Sequence, residues 1–217
     1  MMPAHHPAEA QLLDYAAGAA SEPAGLLVAT HLSLCPECRQ RIAELEAIGG
    51  ALIEDLPATP TRGVEAVLAR LDEPETLVAA PPVAEVDAAT RQIVPAPLRA
   101  YLGANLDALR WRRVGRGLEL HDLPLARPGF KTQLLRIRAG AAIPRHGHRG
   151  LESVLVLDGG YSDDNGHYAR GDVGVSDAAI VHRPVADADG DCLCLSVVEG
   201  GLRFAGLLGR LLGLFAR

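Results

Sequence analysis

Residues 140–159 hold the sequence pattern that most constrains this fold, a group of metal-binding residue types between two glycines. His146 and His148 are two positions apart, so on a β-strand both side chains point to the same face of the sheet. Glu152 follows at the start of the next predicted strand, and His182 lies thirty residues further along. Three imidazoles and one carboxylate suit a borderline divalent ion such as Zn²⁺, Mn²⁺, Fe²⁺ or Ni²⁺. We therefore predict a metal centre inside a β domain.

The sequence around this pattern is typical of short strands separated by turns. Residues 131–137 alternate between the two faces of a strand, and residues 192–198 indicate a late, buried strand. Asn165 followed by Gly166 is a strong hairpin signal. Several short strands at regular spacing favour an all-β sandwich or barrel over about residues 97–200.

The first third of the chain has helical periodicity instead. Apolar side chains recur at helical spacing, and Ser21 followed by Pro23 is a typical helix start. We predict four helices, over residues 9–20, 22–34, 36–48 and 62–71. A bundle of this size has a thin core, so a bound metal would help to hold it together.

A second candidate metal site lies in this helical third. His31, Cys35 and Cys38 form an H-x3-C-x2-C pattern, which brings three side chains to one face of a helix or to a junction between two helices. A structural zinc site has four nitrogen or sulfur ligands in a tetrahedron. The missing ligand can come from His5 or His6, and spacing alone does not decide strongly between them.

Two segments lie outside these domains. Prolines punctuate residues 73–97, which predicts a linker, with room for one short ordered piece, after a helical domain of about residues 1–85. Residues 201–217 are apolar apart from three arginines spaced seven apart, which predicts an amphipathic C-terminal helix. We expect this helix to contact the protein itself or a partner rather than a membrane surface.

Net charge and its distribution limit the classes of partner. The formal charge of −6 and an aromatic content of 4% argue against direct nucleic-acid binding. Residues 1–72 contain ten acidic residues, four arginines and no lysine, which suits a basic protein partner. No secretory signal begins the sequence, and no uncharged apolar run reaches the roughly 18 residues that span a bilayer. We therefore expect a cytoplasmic protein without a membrane segment.

Both metal patterns resemble those of a known family. Residues 140–159 resemble the first cupin motif closely, whereas residues 171–184 match only the ends of the second motif and lack its P-x-G. Over about residues 5–200 the chain resembles the ChrR family of zinc-dependent anti-sigma factors, which implies an α + β protein with a small zinc-bound helical bundle before an all-β cupin jelly-roll barrel. The implied ligands are His6, His31, Cys35 and Cys38 in the helical domain and His146, His148, Glu152 and His182 in the cupin domain.

The resemblance also implies a function. Members of the family bind an extracytoplasmic-function (ECF) sigma factor related to sigma E, in a 1:1 complex, and release it under singlet oxygen or organic peroxides. The implied cofactors are zinc in the helical domain and a divalent metal, zinc or else manganese or iron, in the cupin domain. Cys192 and Cys194 share one strand face and are a further candidate for oxidation, although two buried core cysteines are the simpler interpretation.

Two other classes of function remain open at this point. Some cupins with three histidines and one glutamate are dioxygenases, so a metal-dependent enzyme acting on a small molecule is the main alternative. No further general base or substrate clamp stands out in the sequence, and we therefore predict that the protein is not an enzyme. A purely structural metal module is the weaker third possibility.

Overall fold

The computed structural model describes residues 2–54, 56–57, 63–72, 85–125 and 127–204 of the 217-residue chain. Helices occupy the N-terminal part and antiparallel strands occupy most of the rest, so the predicted fold class is confirmed. In this described part of the chain, no helix is long and apolar enough to cross a lipid bilayer.

Three helices form the N-terminal bundle: α1 (Glu9–Ala16), α2 (Glu22–Leu32) and α3 (Pro36–Glu54). Helix α1 ends before its predicted limit, and Gly18 just beyond it has a φ of +68° that suits a chain reversal. Helix α2 begins after Ser21, whose hydroxyl accepts a hydrogen bond from a backbone amide in the first turn. The side chains at the centre of this bundle include both cysteines of the zinc pattern; they are Leu12, Val28, Cys35, Cys38 and Ile42.

The C-terminal end of the helical region is less buried than the three-helix bundle. Helix α3 continues through Gly49 and Gly50 to Glu54, because an exposed glycine only weakens a helix and does not stop it. The fourth predicted helix is present as α4 (Val64–Leu68), followed by one 3-10 turn over Ala69–Asp72. None of the residues of α4 is buried.

The predicted linker ends earlier than residue 97. Helix α5 (Ala88–Ile93) begins at Asp87, whose carboxylate accepts a hydrogen bond of 2.7 Å from the Thr90 amide. Helix α6 (Ala96–Arg99) follows, and its Leu98 side chain is fully buried. Two of the prolines that suggested a linker, Pro95 and Pro97, lie at the start of α6, where they cost no hydrogen bond. Residues 73–84 of the predicted linker lie outside the described residues.

Twelve strands make up the β domain in the described part of the chain, and every pair of neighbouring strands is antiparallel. The predicted hairpin is confirmed, with Asp163 opposite Gly166 across a two-residue loop. The strands are β1 (Arg112–Val114), β2 (Leu118–Asp122), β3 (Phe130–Ile137), β4 (His146–His148), β5 (Glu152–Asp158), β6 (Gly160–Asp163), β7 (Gly166–Ala169), β8 (Val173–Ser176), β9 (Val181–His182), β10 (Val185–Ala186), β11 (Cys192–Glu199) and β12 (Leu202–Phe204).

These strands form three sheets that enclose the candidate cupin centre. The largest has the order β1-β2-β3-β11-β5-β8, with β11 as its central, almost fully buried strand. The two small sheets have the orders β10-β6-β7 and β12-β4-β9. Strand β5 of the large sheet and strands β4 and β9 of a small sheet therefore carry the metal-binding residue types.

The predicted C-terminal helix does not start at residue 201. Leu202–Phe204 form strand β12, which pairs with β4 so that Leu202 lies opposite His148. Gly200 and Gly201 have φ values of +71° and +88°, which reverse the chain after β11 and bring it against the open edge of β4. Pairing with this edge satisfies the hydrogen-bonding groups of the β4 backbone. Helical periodicity in the sequence could not predict this strand pairing. Residues 205–217 of the predicted helix lie outside the described residues.

The helical and β domains share one hydrophobic core. Leu26 and Leu27 of α2 belong to the same buried cluster as Leu98 of α6 and Leu155 and Leu195 of the large sheet. Helix α2 therefore contacts the zinc pattern on one side and the β domain on the other. The boundaries predicted for the separate domains stay predictions.

We predict that Leu27→Ala lowers the free energy of unfolding by about 2–5 kcal/mol, since it leaves a cavity in this shared core. Leu27 is 0% exposed, whereas Leu13 of α1 is 52% exposed and serves as the matched control. Urea unfolding followed by circular dichroism measures both variants. Equal stability of Leu27→Ala and Leu13→Ala would show that α2 is not a core element.

Candidate metal centres

Four side chains of the predicted zinc site converge at the N-terminal bundle. The Nδ1 atom of His6 lies 3.5 Å from the Cys35 sulfur and 3.3 Å from the Cys38 sulfur. One ligand atom from each of these residues and from His31 lies within 4.8 Å of all the others. Tetrahedral zinc with ordinary bond lengths separates its ligands by about 3.3–3.8 Å. The four side chains can therefore hold a zinc ion with little rearrangement.

The protonation state of His31 fits a metal ligand. Its Nδ1 atom donates a hydrogen bond of 2.8 Å to the Gly171 carbonyl, so Nε2 keeps its lone pair. This Nε2 atom is buried and has no hydrogen-bond partner within the described residues. Burial lowers the pKa of His31, which keeps the imidazole neutral. An orphaned nitrogen inside a protein is costly unless a cation occupies the space beside it.

The structure distinguishes His5 from His6 as the fourth potential ligand, whereas spacing in the sequence did not decide strongly between them. The ring of His5 lies 4.5 Å from that of Tyr168 in the β domain, away from the cysteines. Only His6 joins the cluster of potential ligands. A cavity of about 380 Å³ borders His6 and Cys38, so one side of the cluster faces solvent.

The Cys38 thiol needs a cation to ionise at neutral pH. Burial, followed by the charge of neighbouring Cys35, raises the pKa of the Cys38 thiol to about 12. A buried thiolate would therefore not persist at neutral pH without a positive charge beside it. A bound divalent ion supplies that charge and makes both cysteines effective ligands.

The second cluster lies inside the β domain. The Nε2 atoms of His146 and His148 lie 3.2 Å and 3.3 Å from Nε2 of His182, and Glu152 Oε2 lies 3.6 Å from the same atom. The register explains this convergence, because His146 of β4 lies directly opposite His182 of β9. All four side chains are buried, and their potential ligand atoms lie within 4.8 Å of one another.

The charge of this cluster suits a divalent cation. Burial alone raises the pKa of the Glu152 carboxyl, but hydrogen bonds from His146 and His182 outweigh burial and lower it to about 2. Burial lowers the pKa of His148, so this imidazole is neutral. Its Nδ1 atom is buried without a hydrogen-bond partner in the described structure. One fixed carboxylate and three imidazoles match the preferences of zinc, manganese or iron.

Asp163 supports this cluster from behind, and the sequence analysis did not identify it. The Nδ1 atom of His182 donates a hydrogen bond of 2.7 Å to Asp163 Oδ2, and this carboxylate is only 3% exposed. Burial lowers the pKa of His182, but hydrogen bonds to Glu152 and Asp163 outweigh it and raise the pKa. A carboxylate that orients the far nitrogen of a histidine is a common support for metal sites. Its only sequence signal is its place just before the hairpin loop.

Cys192 and Cys194 belong to a second buried hydrophobic cluster of the β domain and to neither group of potential metal ligands. Both side chains are fully buried, and their sulfurs are 3.4 Å apart and not bonded. The hydrogen bond with Cys192, together with burial, raises the pKa of Cys194. Both side chains are therefore packed in the core, in line with the simpler interpretation.

Comparisons with known proteins show the family of the chain. Residues 100–200 match the family model described as the ChrR cupin-like domain. The chain is 41% identical over 215 residues to the anti-sigma-E factor ChrR of Cereibacter sphaeroides, with 98% of each protein covered. The chain belongs to the ChrR family. A crystal structure of Rhodobacter sphaeroides SigE in complex with the anti-sigma ChrR matches with a TM-score of 0.77 and 40% identity, covering 91% of this chain and 100% of that one.

We predict that His148→Ala lowers the metal content of the purified protein by about one equivalent, because the β-domain centre loses an internal ligand. His167→Ala is the matched control. His167 is in the same domain, but its side chain is 54% exposed and hydrogen-bonded to Asp187. Elemental analysis of the two variants and the parent protein measures the difference. Unchanged metal content in His148→Ala would contradict the assignment of this centre.

Proposed function

We propose that this protein is an anti-sigma factor that binds an ECF sigma factor of the sigma-E group in a 1:1 complex and keeps it from RNA polymerase. The observation that carries the proposal is the similarity of nearly the whole chain to a curated anti-sigma-E factor. A structure of a relative in complex with its sigma factor supports the same function. Because such a partner works in the cytoplasm, the protein acts there too.

Zinc is the ion of the helical centre in this function, held by His6, His31, Cys35 and Cys38. Two thiolates and two imidazoles balance its charge and complete its coordination. When bound, zinc supplies folding free energy to a bundle whose own core is small. The chain's contribution is to bring ligands from α2, α3 and the N-terminal segment to one point.

An exposed apolar surface is available for the partner. We define the α3–α4 apolar surface by its side chains, all more than half exposed, which are Ile48, Leu52, Ile53, Leu56, Val64, Val67, Leu68 and Leu71. Eight of the eleven large, exposed hydrophobic side chains of the described residues belong to it. Such a concentration is unusual on a free protein surface and typical of a docking site. Helices with an exposed apolar face dock into grooves of a partner.

Charge complements this surface. Residues 1–72 carry all of the excess negative charge of the protein, and the acidic residues Glu44, Glu46 and Glu54 lie on α3 itself. A sigma factor presents basic surfaces to DNA, so the acidic helices attract it before the apolar contacts form. The mode of binding is therefore electrostatic approach followed by burial of the α3–α4 apolar surface.

The cupin domain has the sensing role in this function. Its centre, formed by His146, His148, Glu152 and His182, holds a divalent metal, with zinc first and manganese or iron as alternatives. An oxidative signal such as singlet oxygen or an organic peroxide acts on this domain and leads to release of the sigma factor. The shared core between α2 and the large sheet gives the domain a physical route to the helices.

We predict that Leu52→Asp weakens binding of a purified sigma-E-type ECF sigma factor about 30-fold or more, the effect expected of a central interface residue. Leu52 is 69% exposed, so the variant should fold normally. Val181→Asp, at an exposed apolar position of the β domain, is the matched control. Isothermal titration calorimetry measures both, and equal affinities would exclude the α3–α4 apolar surface as the docking site.

We also predict that Cys35→Ser prevents co-purification with the sigma factor, because the helical centre loses zinc and the bundle loses the free energy of binding it. Cys192→Ser, which replaces a buried thiol of the β domain, is the control. Pull-down from cells that express both proteins measures the result. A complex retained by a zinc-free Cys35→Ser protein would refute zinc-dependent inhibition.

A further inference from the structure

One hairpin contacts a ligand residue of each candidate metal centre. We define the bridging hairpin as residues 160–172, that is strands β6 and β7 with the turn that follows them. We propose that the bridging hairpin couples the two centres, with Asp163 and Asp172 as positioning residues, so that an intact β-domain centre strengthens metal binding at the helical centre. This inference rests on the ligand assignments of the proposed function and adds a route for its regulation.

The first end of the hairpin reaches the β-domain centre. Asp163, the last residue of β6, accepts the 2.7 Å hydrogen bond from His182 and is buried. His182 uses its other nitrogen toward the remaining ligands. Any change that moves or removes His182 from the centre therefore changes the position of Asp163.

The second end of the hairpin reaches the helical centre. The Gly171 carbonyl accepts the hydrogen bond of His31. The Asp172 carboxylate accepts hydrogen bonds of 2.6 Å and 3.0 Å from the backbone amides of Ala4 and His5, the two residues before His6. Two of the four proposed zinc ligands are thus oriented by the β domain, although none of the four belongs to it.

The segment between these ends is rigid enough to transmit a displacement. Tyr161 and Tyr168 are opposite each other on β6 and β7, and their buried rings stack at 4.8 Å. His5 lies against Tyr168, and its carbonyl accepts a hydrogen bond from the Val173 amide. The Asp172 carboxylate also accepts a hydrogen bond of 2.8 Å from the backbone amide of Ala169, the last residue of β7. Packed rings and paired strands of this kind carry coupling between sites.

The physical basis of the coupling is orientation of the imidazoles. A metal-binding histidine needs its outer nitrogen held by an acceptor, and loss of such a partner typically lowers metal affinity about 10–100-fold. The bridging hairpin supplies this acceptor to His182 directly and to His31 through Gly171. Coupling of this kind is reciprocal, because each metal favours the same hairpin position.

Co²⁺ binding to the full-length protein tests the local role of Asp172. Absorption by thiolate-to-cobalt charge transfer reports the helical centre alone, because the β-domain centre has no sulfur ligand. Asp172→Ala should weaken Co²⁺ binding at the thiolate site about 10–100-fold. Asp177→Ala removes an exposed carboxylate that accepts a hydrogen bond from the nearby Ala179 amide, and it should leave the affinity unchanged. Asp172→Asn keeps one oxygen acceptor and should restore part of the affinity.

The coupling itself is tested at Asp163, which contacts no residue of the helical centre. Asp163→Asn should weaken Co²⁺ binding at the thiolate site about fivefold or more, the lower limit of typical coupling between sites. Asp164→Asn, at the adjacent exposed position paired with Arg145, should not. His148→Ala, which removes a ligand of the β-domain centre and replaces no residue of the hairpin, should weaken thiolate-site binding in the same direction as Asp163→Asn.

Equal thiolate-site affinities in Asp163→Asn and Asp164→Asn would overturn the coupling, and so would an unchanged affinity in Asp172→Ala. Far-ultraviolet circular dichroism checks the fold of each variant, and if Asp172→Ala is unfolded, Asp172→Asn decides the local role. None of these measurements uses a sigma factor. A protein that binds its sigma factor but shows no coupling therefore overturns this inference alone and leaves the proposed function in place.

Discussion

The structure depends on bringing buried and partly buried electron-donating side chains together at two points. The helical cluster buries two thiols and an imidazole nitrogen without a hydrogen-bond partner, and the β-domain cluster buries a carboxylate among three imidazoles. Burial without a cation is unfavourable for the Cys38 thiolate and for the nitrogens of His31 and His148 that have no hydrogen-bond partner in the described structure. A divalent ion in each cluster removes this cost, so metal binding and folding are a single problem for this protein.

The two domains are less independent than their separate motifs suggest. Helix α2 contributes to a core that contains strands of the large sheet, and the N-terminal segment before His6 is bonded to a turn of the β domain. Both apolar contacts and hydrogen bonds therefore connect the β domain with the segments that carry the helical ligands. In contrast, the α3–α4 apolar surface consists of exposed side chains, and α4 has no buried residue. A β domain that shares a core with the helical bundle, together with exposed apolar side chains on α3 and α4, suits the releasable inhibitor that we propose.

Much of the candidate site could be predicted because local spacing determines it. The i, i+2 spacing of His146 and His148 predicted one strand face, and the H-x3-C-x2-C pattern predicted the junction of α2 and α3. Asp163 and Asp172 could not be found in this way, since each acts on a residue distant in the sequence and has no motif of its own. The predictions for the end of the linker and for the start of the tail were wrong. Prolines also begin helices, as they do at α6, and an apolar segment can pair with the edge of a sheet, as β12 pairs with β4.

The sequence by itself determined the residue types of both centres, the order of a helical and a β domain and the acidic character of the first third, because composition and local periodicity carry this information. Only the tertiary structure decided that His6 rather than His5 joins the cysteines, that residues 202–204 form a strand, and that one hairpin contacts ligands of both centres. These features depend on which backbone groups and side chains meet after folding, and contacts between residues distant in the sequence leave no local pattern to read.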